Sequence, residues 1–388
     1  MSSRRLAALA GAVALLLVGA ASAVAVDATG PVPPPKALDQ AVYDALTAPE
    51  TPGVTARVTF ENKLIPASAL PDGTASPLLQ GASGRLWLAQ DGRFRVELQS
   101  EAGDAQIVSD GKVVTAYDAS ANTVYRAELP PEKTDEKKEG DEHRPTLARV
   151  QKGLERLAEH WLVSGANPGS SAGQPSYTVR LSPKDDGGLL AAAELAWDAA
   201  RGVPLRAAVY ADGQADPVLS LTADEISYAA VAESELVLTP PAGAKVVDVD
   251  PRGREKEEHG EPVEGLEAVQ ARVPFKIAAP DGLAGRPRTE VRLIEKEKSA
   301  GAALVYGEGH GAVVIFQHRT RDESKPDGRV ESGERELVLP AVDVAGVRGE
   351  ELATPLGTVI TFERDGITYT VAGSLPPATV EAAARELR

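Results

Sequence analysis

The sequence predicts an α+β protein, mainly β, built as two domains. Three observations lead there. Between Gly53 and Val249 most segments alternate apolar and polar residues with period two, the mark of a strand with one apolar and one wet face. Asp-Gly pairs separate the alternating stretches at Asp91-Gly92, Asp110-Gly111 and Asp365-Gly366, where tight hairpins need residues that accept positive φ. A helical period is confined to three short stretches, near residues 37–50, 146–161 and from Pro377 onward.

Composition sets the outer bounds. The 388 residues suffice for two or three domains with sizeable cores, and aromatics make up only 4%, so small apolar side chains fill the interior. The formal net charge of −16 argues against a nucleic-acid partner, since phosphate contacts need clustered Lys and Arg. There is no cysteine, which excludes thiol catalysis, disulfides, cysteine metal sites and a lipidated N-terminal cysteine.

The first 26 residues read as a signal peptide or N-terminal membrane anchor. Arg4 and Arg5 precede an apolar run from Leu6 to Val26, with Ala21–Ala23 or Ala23–Ala25 as a cleavage site. The run is also long enough, at ~30 Å as a helix, to stay as an anchor. Both readings place the remainder outside the cytoplasm, membrane-anchored or secreted into the periplasm. Residues 27–36, with "GPVPPPK", form a stiff proline-rich spacer.

A domain spanning 37–250 follows. "ALDQAVYDALTAPE" predicts a short helix with Leu38, Val42 and Leu46 on one side, stopped before Pro52. Strands begin at "GVTARVTFENKLI", continue through "GRLWLAQDGRFRVELQS" and "QIVSDGKVVTAYDASANTVYRAELP", and make an antiparallel meander. The charged break "PPEKTDEKKEGDEHRP" (130–145) reads as a solvated loop. In "TLARVQKGLERLAEHW" the residues Leu147, Val150, Leu154, Leu157 and Trp161 line one stripe of a helix. Strands resume at "SYTVRLSP". Residues 189–200 are rich in Ala and Leu, yet Gly187-Gly188 before them and the Arg201-Gly202 turn after them favour a strand over a helix. A charged linker at 251–264 leads to a smaller α+β domain at 265–388. Within it "GEGHG" (307–311) lies between two β-branched runs, so it reads as a hairpin turn and not as a phosphate loop, which would open a helix.

Catalytic constellations are missing from the sequence. None of the five histidines has a partner at zincin spacing, and no G-x-S-x-G elbow occurs. The expectation is a protein without catalytic residues, metal ligands or cofactor.

Five segments in order, the first helix with "GVTARVTF", then "GRLWLAQDGRFRVEL", "IVSDGKVVTAYDASANTVYRAELP", "WDAARGVPLRAAVYADG" and "LVLTPPAGAKV", resemble the LolA-type outer-membrane lipoprotein carriers and the related MucB/RseB-type envelope-stress regulators. The resemblance implies an unclosed antiparallel β-barrel with a helical lid around an apolar cavity, and lipid or lipoprotein acyl chains as ligand. The alternative it implies is a regulator whose partner is a membrane protein such as an anti-sigma factor. Gln90-Asp91-Gly92 stand where the carriers have an Arg-Pro pair, so no lid-locking arginine carries over. Alternation nominates the cavity residues: Val58, Phe60, Phe94, Val96, Leu98, Tyr177, Val179, Leu181, Leu195, Trp197, Leu205 and Val209. The lid residues are the helical stripe Leu147, Val150, Leu154, Leu157 and Trp161. For each, plain core packing is the competing role.

Overall fold

The computed structural model describes residues 30–66, 69, 77–101, 103–119, 122–129, 145–185, 187–249, 263–296, 299–320 and 339–387. Residues 1–29, which include the expected signal peptide or anchor, residues 130–144 of the charged break and residues 251–262 of the linker lie outside the described residues. Two compact units result. The first holds the described residues up to Lys63, of Asp72–Lys184 and of Ala191–Gly253; the second holds those of Leu64–Pro71, Asp185–Leu190 and Arg254–Arg388.

The first unit opens with helix α1 (Leu38–Thr47), whose Leu38, Ala41, Val42 and Ala45 repeat at three- and four-residue spacing and face the core. Strand β1 (Gly53–Asn62) follows, then the single turn α2 (Pro77–Gln80). Five hairpin-linked strands come next: β2 (Ala82–Ala89), β3 (Phe94–Ser100), β4 (Gly103–Ser109), β5 (Val113–Asp118) and β6 (Thr123–Glu128). Gly92 (φ 89°) and Gly111 (φ 87°) sit at two of the turns, where a side chain would strain the backbone. Helix α3 (Leu147–His160) is capped by the Thr146 hydroxyl, which accepts from the Arg149 amide. Strands β7 (Trp161–Val163), β8 (Asn167–Ser171), β9 (Gln174–Pro183), β10 (Leu190–Asp198), β11 (Pro204–Ala211), β12 (Leu219–Ser227) and β13 (Lys245–Val249) complete the unit.

These thirteen strands form one sheet in the order β13-β6-β5-β4-β3-β2-β1-β12-β11-β10-β9-β7, with β8 also on β9. The two end strands do not pair with each other, so the curled sheet is an open half-barrel. Residues 190–198 are a strand, as predicted: pairing with β9 outweighs the helix preference of Ala and Leu. Trp161 is a correction. It belongs to strand β7 opposite Pro183, one residue past the end of the helix, because Trp-Leu-Val suits a pleated edge that β9 leaves open. Strand β13 is also unforeseen; it pairs parallel to β6, a long-range pairing with no local hairpin signal.

The second unit contains α4 (Leu266–Gln270), β14 (Gly282–Leu283), β15 (Arg286–Lys296), β16 (Ser299–Tyr306), β17 (Val313–Arg319), β18 (Ala341–Val344), β19 (Val347–Thr354), β20 (Gly357–Arg364), β21 (Ile367–Gly373) and α5 (Pro377–Glu386). Its eight strands run β14-β15-β16-β17-β21-β20-β19-β18. Helix α5, with proline in its first turn, buries Val380, Ala383 and Ala384 against β20 and β21. Residues 307–311 are the predicted hairpin turn: Tyr306 stands opposite Val313, and a single 3-10 turn joins the strands.

Candidate functional site

Residues directly opposite each other in a ladder share a side of the sheet, so the register traces one face across the first unit. Phe60 stands opposite Ala82 and Val58 opposite Gly84. Leu98, Val96 and Phe94 stand opposite Gly84, Leu86 and Leu88. In the other direction Phe60 stands opposite Leu221, and Leu221 opposite Ala207, two residues from both Leu205 and Val209. Tyr177 pairs with Trp197, Val179 with Leu195, and Leu181 with Ala193. Glu194 reaches Arg206 and Tyr210 on the opposite side, which leaves Leu195 and Trp197 on the same side as Leu205 and Val209. All twelve nominated cavity residues therefore lie on one face.

That face has a filled part and an open part. Over β9 and β10, α1 inserts Leu38, Ala41, Val42 and Ala45 against Tyr177, Val179, Leu195 and Trp197. Tyr177 is 1% exposed and Trp197 4%; the Tyr177 hydroxyl donates to the Pro34 carbonyl at 2.7 Å. Leu205 and Val209 are buried too, and Leu181 half-buried. Across β1 to β6 the cover is thinner. Val58 and Leu98 are buried, but Phe60, Leu86, Phe94, Val96, Ile107 and Tyr125 are only half-buried, although the register places them side by side. An apolar stripe with large side chains from β1–β4 and β6 thus stays partly wet.

The nominated lid residues lie on helix α3 and at the first residue of β7. Helix α3 packs on α1 and against β7, and Gln151 donates to Asp39 at 2.7 Å. Val150 is buried, while Leu147, Leu154, Leu157 and Trp161 are half-buried. Helix α3 therefore meets both α1 and the edge strand of the sheet.

The opposite face carries charge. Glu194, nearly unexposed, accepts from Arg180, from Arg206 at 2.9 Å and from the Tyr210 hydroxyl at 2.9 Å. Burial pushes the Tyr210 hydroxyl above its ordinary range. Asp198 accepts from Tyr228 at 2.6 Å and from the Ala200 and Arg201 amides, and burial, then Asp198 itself, pushes the Tyr228 phenol up. These hydrogen-bonded networks tie the β10–β12 corner together. Further along, Arg93 grips Glu233 through two bonds of 2.6 and 2.7 Å, and Arg95 donates to the Val237 carbonyl at 2.7 Å. They hold residues 233–237 over the outer side of the sheet. A cavity of about 560 Å³ results, lined by β4–β6 and residues 236–246. None of the nominated residues lines it. The sequence offered no signal, because the cavity depends on a crossing segment anchored from a distant strand. Among the described residues no three His, Asp or Glu side chains could hold a metal ion.

Residues 40–136 match a family model described as "Predicted periplasmic protein (DUF2092)". No curated protein matches the sequence. Among solved structures, the chain is similar to MucB in complex with MucA(peri), at 15% identity over 90% of this chain and 96% of that one, with a TM-score of 0.41. The MucA/MucB complex of Pseudomonas aeruginosa gives 15% identity over 89% and 95%, TM-score 0.41. A Vibrio parahaemolyticus domain described in terms of outer membrane lipoprotein sorting gives 10% identity over 52% and 95%, TM-score 0.22. Among the described residues no helix is long and apolar enough to cross a membrane.

Proposed function

We propose that this chain is an exported, non-enzymatic binding protein that shields acyl chains, those of a lipid or a lipoprotein, on the apolar face of its first unit. The observation that supports this reading is the half-buried stripe Phe60, Leu86, Phe94, Val96, Ile107 and Tyr125 on one side of β1–β4 and β6. Removing a sixteen-carbon chain from a membrane costs roughly 12 kcal/mol, at about 0.8 kcal/mol per CH₂. A partly wet apolar stripe gains by the same rule when hydrocarbon covers it. The flanking β9–β10 region, already filled by α1, gives the site a rigid wall.

The test is mass spectrometry of an organic extract of the purified full chain. Stoichiometric lipid in the wild type, lost in Phe60→Asp/Phe94→Asp, is the expected result; a lipid-free wild type that also fails to take up added lipid contradicts it. A second reading is a regulator that binds a membrane protein such as an anti-sigma factor. It is favoured by the second unit, a separately cored domain that a simple carrier does not need. Capture of one defined membrane protein by lipid-free chain would select it.

A further inference from the structure

A cavity lies on the opposite face of the same sheet. Its floor is β4, β5 and β6, with Val108, Val113 and Val124 facing the cavity, and its wall is the segment around Leu236 and Leu238 together with Val246 of β13. The volume of about 560 Å³ falls in the range of small-molecule sites, roughly 300–1,000 Å³. The wall is fixed in place by the grip of Arg93 on Glu233 and of Arg95 on the Val237 carbonyl.

The polar groups of the cavity narrow the occupant. Arg126 lines it, stands directly opposite Thr115 in the β5–β6 ladder, and takes part in no ion pair among the described residues. A guanidinium beside a hydroxyl is a receptor for a carboxylate. Asp110, the acid of the lining, is already used: its carboxylate accepts from the Lys112 and Val113 amides at 2.8 and 2.7 Å. Its charge turns an anionic head away from that end and toward Arg126. The floor is a sheet face, whose backbone groups are spent in the ladders, so an occupant gains nothing from a peptide backbone of its own. An apolar chain with one anionic end meets every condition.

We infer that this cavity binds a single-chain amphiphilic carboxylate, its head on Arg126 and Thr115 and its tail along Val108, Val113, Val124 and Leu236. The site is separate from the proposed acyl-chain face, and the two stand or fall independently.

The test is calorimetric titration of the full chain with dodecanoate, below its micelle concentration, and with dodecanol. Wild type is expected to bind dodecanoate saturably. Arg126→Gln, a change at an exposed side chain, is expected to weaken dodecanoate at least about tenfold while leaving dodecanol unchanged, as loss of a charged hydrogen bond does. Val237→Asp, at an exposed residue of the wall, is expected to weaken both. Phe94→Asp, on the other face, leaves the Arg126-dependent part of this binding intact. Absence of saturable dodecanoate binding overturns the inference, and so does binding indifferent to Arg126→Gln in a folded variant. Binding abolished by Phe94→Asp alone also overturns it while supporting the acyl-chain face.

Discussion

The two units use apolar residues in opposite ways. The second gathers twenty buried residues into one cluster, among them Leu304, Tyr306, Ile315, Ile360 and Val371, each 0% exposed. The first is the longer piece of chain, yet among its described residues the buried side chains fall into clusters of three or four. The cause is geometric. Two helices, α4 and α5, over eight strands cover the second sheet enough to close a core, whereas α1 covers only the β9–β10 end of a thirteen-stranded sheet. Apolar surface left half-covered by its own chain is surface available to something else. The second unit is a filled scaffold, and the first an unfinished core.

That contrast can be broken by mutation, and the largest effect belongs to the first unit's charged corner. Glu194→Ala leaves Arg180 and Arg206 facing each other without their shared acceptor, and should cost about 3–5 kcal/mol in denaturant unfolding. Leu304→Ala opens a hole in the second core and should cost about 2–5 kcal/mol. Phe94→Ala should cost less than about 2 kcal/mol, since its ring is half-buried, while weakening lipid uptake severalfold. Equal stability losses for Leu304→Ala and Phe94→Ala would remove the distinction between the units. Tyr177→Phe deletes one buried hydrogen bond to the Pro34 carbonyl and should cost about 1 kcal/mol.

The smallest effect is on pH. In the second unit burial, and then the neighbouring Glu381 charge, raises the Glu351 carboxyl above its ordinary 4.5. A raised carboxyl favours the fold when protonated, so its contribution is present below pH 4.5 and is lost as pH rises through the folded-state value. Glu351→Gln should therefore unfold at a higher denaturant concentration than wild type at about pH 7, and the gap should close near about pH 4. A gap that persists at low pH would show that Glu351 acts by some route other than its charge.

Strands, turns and the apolar face were legible in the sequence because alternation and Asp-Gly turns are local signals. The face survived intact: Val58, Phe94, Tyr177 and Val209 come from four different strands and still share one side. What depends on distant pairing was hidden. Trp161 continued the stripe of α3 by spacing, but β9 captured it as a strand residue. The lid stripe was legible as amphipathic, but its packing on α1 and on the edge strand β7 was not. The outer cavity needed Arg93 and Arg95 to hold a segment 140 residues away, which no window of sequence displays.

The chain has no cysteine, so one introduced thiol can be labelled uniquely. Leu221 stands beside Phe60 on the apolar face and is 37% exposed. Leu221→Cys carrying an environment-sensitive fluorophore, titrated with a lysophospholipid below its micelle concentration, should give a saturable blue shift. The same label introduced by Arg85→Cys, on the other side of the sheet, should give none. An unchanged spectrum from the label on the apolar face, or equal shifts on both faces, would contradict the acyl-chain site.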